Sequence, residues 1–129
     1  MPLNIEVMVL DDEATVCERL KDFLEKKGAN VETFVDSSSA VERLSQKRFQ
    51  VVVTDLKMKG PTGLDVLVAV KKQNLPTQVI IITGYRTFEA TRAAEFVGAY
   101  GFLDKPFRME ELYDLVEKAA KKARKLDPK

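Results

Sequence analysis

Apolar residues fall into two alternating rhythms along this chain. Short unbroken runs set the first: "IEVMVL" at Ile5 to Leu10, "VVVT" at Val51 to Thr54 and "QVIIIT" at Gln78 to Thr83. "NVETFV" (Asn30 to Val35) and "YGFL" (Tyr100 to Leu103) complete a set of five. These runs are rich in β-branched residues and of strand length. Between them, apolar positions recur at steps of three and four. Val16, Leu20, Phe23 and Leu24 predict a helix that Gly28 ends. Ala40, Val41 and Leu44 predict a second, capped by Asp36 or Ser37. A third spans Leu64 to Gln73 before Pro76, and a fourth spans Thr87 to Val97 before Gly98. The last runs from about Arg108 to Arg124, with Leu112, Val116, Ala119 and Ala123 on one face.

Alternating strands and helices predict a doubly wound, five-stranded parallel sheet with helices on both faces. Central parallel strands are buried on both sides, so their sequences run apolar without alternation. The chain shows no repeat, low-complexity tract or interdomain linker. It reads as one domain over 1–129, with an ordered core over 4–124 and a tail at 125–129. The basic end "KKARKLDPK" reads as a solvated helix end, where Lys and Arg suit the dipole. A linker toward an output domain is the alternative.

Composition narrows the classes. Hydrophobic residues make up 45% and charged residues 32%, with a net charge of +1, so bulk charge gives no reason to expect nucleic-acid or anionic-membrane binding. The single cysteine allows no intrachain disulfide and fits a reducing compartment. Cys17 lies in an apolar helical pattern and reads as a small buried hydrophobe. No run approaches the roughly 18 apolar residues that cross a bilayer. The start "MPLNIEVMVLDDE" lacks signal-peptide features, so a cytoplasmic location is expected. With no His, there is no Ser-His-Asp triad, His metal site or phosphohistidine on this chain.

Chemistry gathers at the strand ends. In a doubly wound sheet, ligands sit outside the carboxyl ends of the strands, where strand order reverses. Asp11 and Asp12 follow the first strand, and Asp55 closes the third. With order 2-1-3-4-5, the flavodoxin-like arrangement, those strands are neighbours and the three carboxylates share a crevice. Thr83 and Lys105 reach the same edge from strands four and five. Two carboxylates at ~4 Å repel by on the order of 4 kcal/mol at an effective dielectric of about 20. All-oxygen donors suit a hard divalent cation such as Mg2+. A carboxylate surrounded by metal, Lys and a Thr hydroxyl has the parts for phosphoryl transfer onto itself. Alone, "DD" is usually a cap, a strand-closing Thr a turn residue and "KP" a surface turn. Their joint order resists that explanation.

Those residues resemble the receiver domain of two-component response regulators across essentially the whole chain. The resemblance is carried by "LDDE" (Asp11, Asp12), "VVVTDLKM" (Asp55), Gly63, "IIITG" (Thr83) and "GAYGFLDKPF" (Lys105). It implies that Asp55 is the phosphoacceptor and that a histidine kinase or phosphotransfer protein is the donor. Asp12 would ligate Mg2+ directly, Asp11 would hold a metal-bound water, and the Lys57 carbonyl would complete the set alongside Asp55. Thr83 and Lys105 would take phosphoryl oxygens. Thr83 and Phe102 would form the switch, and the Lys105–Pro106 bond would be cis. The implied output is a changed surface of helix four, strand five and helix five. That surface would meet a downstream protein target or a second copy, with no direct nucleic-acid or membrane partner. The chain departs from the usual loop: Lys59 stands where Pro is frequent, Pro61 follows two residues later, and Phe102 replaces a frequent Tyr.

Two further readings concern the active form. Lys57 and Tyr85 are expected to flank the path of an attacking water. Lys offers only donors and Tyr is bulky, so the phosphoryl group should persist. On a helical wheel, Phe88 and Phe96 fall off the core stripe of helix four; Phe88 either folds back onto the loop after strand four or stands exposed as an interface anchor. Three alternatives fit less well. A haloacid-dehalogenase-like phosphatase wants an Asp two residues after its nucleophile, where Lys57 stands. A flavodoxin-like FMN binder would not place acids against the FMN phosphate. A degenerate receiver that acts only by protein binding would not need the full set of site residues.

Overall fold

Among the described residues, ten elements alternate strictly between strand and helix: β1 Glu6–Leu10, α1 Ala14–Lys26, β2 Asn30–Phe34, α2 Ser37–Leu44, β3 Val51–Asp55, α3 Gly63–Lys72, β4 Gln78–Thr83, α4 Phe88–Val97, β5 Gly101–Asp104 and α5 Met109–Leu126. The computed structural model describes residues 3–56, 63–73, 75–84 and 88–127. All strand pairs are parallel, and the order is β2-β1-β3-β4-β5, as the sequence predicts. The order reverses between β1 and β3, whose neighbouring ends carry Asp11 and Asp55.

Alternate residues of each central strand feed two separate cores. Val7, Val9, Val51, Val53, Ile80 and Ile82 pack with Cys17, Leu20 and Leu24 of α1 and with Leu112, Val116 and Ala119 of α5. Met8, Leu10, Val52, Val79 and Ile81 pack with Ala40 and Leu44 of α2, Val66, Leu67 and Val70 of α3, and Ala94 of α4. Burial on both faces is why these strands read as unbroken apolar runs.

Helix ends follow local chemistry. Asp36 caps α2 by accepting from the Ser39 amide at 2.8 Å. Gly28 and Gly98 adopt φ of 97° and 110° just past α1 and α4, a conformation that Gly reaches without a Cβ clash. β5 lies one residue later than the expected Tyr100 to Leu103, because Tyr100 only donates its amide to the Val79 carbonyl before the ladder begins. At the chain's basic end, α5 continues to Leu126. Arg124 donates to the carbonyls of Leu3 (3.2 Å) and Asn4 (2.8 Å), and Arg48 pairs with Asp127 at 3.1 Å. This turn is tied to the start of the chain, beyond the solvated end expected for it.

Candidate functional site

Three elements deliver the carboxylates and the ammonium to one crevice. Asp11 directly follows β1, Asp55 is the last residue of β3, and Lys105 directly follows β5. Lys105 Nζ lies 3.0 Å from Asp11 Oδ2 and 3.0 Å from Asp55 Oδ2. Asp11 is fully buried, and its other oxygen accepts the Glu13 amide at 2.9 Å. The turn into α1 thus orients this carboxylate from one side and Lys105 from the other. Asp12, one residue on, is exposed. Burial disfavours the Lys105 ammonium, but the hydrogen bonds to Asp11 and Asp55 outweigh it, so its pKa is raised. Lys105 therefore stays charged where three acids converge.

One oxygen from each of Asp11, Asp12 and Asp55 falls within 4.8 Å of the others. Hard oxygen donors at that spacing, with no thiol or imidazole among them, fit a divalent cation that favours carboxylate and water ligands. Thr83 closes β4 and is buried. It lies one step past Ile82, the residue paired with Asp55, and its carbonyl accepts the Lys105 amide at 2.9 Å. Phe102 is half-buried and packs against the core under α2, α3 and α4. The Lys105–Pro106 bond is cis. Cys17 is buried with its thiol 3.4 Å from the Asp11 carbonyl; burial pushes its pKa up, consistent with a packing residue.

The structure thus gathers Asp11, Asp12, Asp55 and Lys105 and sets Thr83 beside them. Lys57, Lys59, Pro61 and Tyr85 lie outside the described residues, as does the side chain of Phe88. Sequence reasoning missed a cavity next to Lys105, between α1 and the start of α5. Arg19 lines it. Its only sequence signal is a position near Val16 and Leu20 on α1; the opposite wall comes from residues about ninety positions away.

Comparison with known proteins shows the family. Residues 7–117 match the family described as the response regulator receiver domain. The chain is 32% identical over 117 residues to the transcriptional regulatory protein FixJ of Bradyrhizobium diazoefficiens, covering 91% of this chain and 57% of that protein. It is 33% identical over 113 residues to the DNA-binding transcriptional regulator NtrC of Escherichia coli, covering 88% and 24%. These matches span only part of the relatives' length. A response regulator receiver domain protein from Clostridium thermocellum superposes with a TM-score of 0.89 at 30% identity, covering 95% of this chain and 99% of that one.

Proposed function

Since the chain belongs to the response regulator receiver domain family of two-component systems, we propose that it is a phosphorylation switch whose acceptor is Asp55. The observation that carries this reading is the Lys105 ammonium at 3.0 Å from both Asp11 and Asp55, on the edge of the sheet where strand order reverses. A carboxylate oxygen of Asp55 attacks phosphorus, the P–N bond of a donor phosphohistidine breaks, and its electron pair leaves with the imidazole. Lys105 and the Thr83 hydroxyl take the phosphoryl oxygens, whose charge they offset. Asp12, Asp55 and the Lys57 carbonyl would hold Mg2+, with Asp11 on a metal-bound water, and the ion would supply further positive charge to those oxygens. The donor is a histidine kinase or phosphotransfer protein in the cytoplasm.

Thr83 then shifts toward the new anion and Phe102 fills the space it leaves, a two-state repacking biased by local charge. The two residues stand on neighbouring strands, Thr83 buried and Phe102 half-buried. The altered surface is α4, β5 and α5, and its reader is a downstream protein or a second copy. Phe96 on α4 is 93% exposed, which suits an anchor there. Intact-mass measurement with acetyl phosphate tests the acceptor. One phosphoryl group should appear with Mg2+, and none with EDTA or in Asp55→Ala. Equal labelling of wild type and Asp55→Ala rejects the assignment.

A further inference from the structure

A cavity of about 340 Å³ opens beside the carboxylate crevice, at the small end of the range for small-molecule sites. Val16 and Leu20 of α1 face Phe107 and Met109 across it, and Arg19 and Lys105 bring positive charge. Leu20 is buried and Arg19 exposed, so the apolar wall lies inside and the guanidinium at the rim. Lys105 is shared with the crevice, where the same ammonium sits 3.0 Å from Asp55. Lys105 thus forms a wall common to the cavity and to the crevice that holds Asp55. Phosphoryl acceptance by Asp55 does not by itself require such a space.

We infer that this cavity selects small phosphodonors whose leaving group is an aromatic carboxylate, an inference that rests on Asp55 being the acceptor. Such a leaving group joins a flat apolar ring to an anionic head, and the cavity joins an apolar wall to a cationic rim. With benzoyl phosphate, an Asp55 oxygen attacks phosphorus and the bond from phosphorus to the acyl oxygen breaks. Its electron pair leaves on the benzoate carboxylate, beside Arg19. The products are aspartyl phosphate and benzoate, and no proton is required. Acetyl phosphate follows the same step, but its methyl group leaves the apolar wall largely uncovered.

The experiment compares initial labelling rates of the whole chain with benzoyl and acetyl phosphate, both far below saturation and with Mg2+ present, by intact mass. Benzoyl phosphate should label about tenfold faster, the scale of discrimination an apolar pocket supplies. Benzoate, and not acetate, should inhibit competitively. Val16→Phe fills the cavity, and Arg19→Glu reverses the rim charge at an exposed position that folding does not depend on. Val16→Phe should bring the benzoyl rate down to the acetyl rate, and Arg19→Glu should slow both donors, the benzoyl more, so that the aromatic advantage shrinks. Equal rates in wild type, or an aromatic advantage that survives both variants, overturns the inference while acetyl phosphate labelling leaves Asp55 as acceptor. Failure of both donors to label Asp55 overturns the acceptor assignment as well.

Discussion

Asp11 and Asp12 are adjacent in sequence and opposite in environment. Asp11 is fully buried, with one oxygen on the Glu13 amide and the other on Lys105; Asp12 is exposed and has the same acids for neighbours. Their variants should diverge. Asp12→Asn removes one charge from a repelling cluster and little packing. In EDTA it should stabilise the fold by ~1 kcal/mol, solvent having already weakened the repulsion. Urea denaturation reads this as a raised midpoint with unchanged slope; a lowered midpoint contradicts it. Lys105→Met leaves the Asp11 carboxylate buried without its cation. It should cost ~2 kcal/mol, below the usual loss for a fully buried pair because Lys105 is partly exposed, and Mg2+ should restore part of the loss. These site residues were legible because strand-end positions converge in any doubly wound sheet. Which carboxylate is buried was not legible, since that depends on how the turn into α1 folds over Asp11.

Element by element, the periodicities identified all five strands and all five helices, while ion pairs between elements escaped them. Arg43 grips Glu32 through Nε at 2.9 Å and Nη2 at 3.1 Å, and Lys47 bridges Glu32 (2.8 Å) to Glu6 (2.9 Å). α2 is thereby fastened to β2 at the sheet's edge. Hydrogen bonds from Arg43 and Lys47 hold the Glu32 carboxyl at about 2, against 4.5 ordinarily. Between those values the unfolded chain binds the proton and the folded chain does not. The contribution is therefore complete above about pH 5 and fades as pH falls toward 2. Solvent contact and screening limit it to ~1 kcal/mol. Glu32→Gln should flatten stability over that pH interval, and high salt should do so partly; an unchanged acid limb refutes the coupling. On the helices, Leu112→Ala should cost ~2–5 kcal/mol because Leu112 is fully buried in the α5 core. Phe96→Ala should leave stability within about 0.5 kcal/mol and weaken association of the phosphorylated protein with its reader. A large stability loss for Phe96→Ala would instead place that ring in the core.

At the scale of the whole molecule, the end of α5 is fastened to the residues that lead into β1. Leu3 is buried and donates its amide to the Lys27 carbonyl, while Arg124 holds the Leu3 and Asn4 carbonyls from α5. Arg124→Ala should cost ~1 kcal/mol, a charged hydrogen bond discounted for exposure, and should speed amide exchange in the last turn of α5. Unchanged exchange there would show that the tie carries no weight. The sequence by itself determined the layered architecture, because strands buried on both faces need unbroken apolar runs and helices buried on one face need a period near 3.6. It also determined which residues meet at the site, because strand order brings the ends of β1 and β3 together and the flanking motifs ride on those ends. Tertiary structure alone decided the Arg124 tie, the Glu32 cluster and the cavity under Arg19. Each joins side chains far apart in the chain or on different elements, through contacts that no local period encodes. The cavity in particular is lined from α1 on one side and from Lys105 to Met109 on the other, segments that only the assembled sheet brings together.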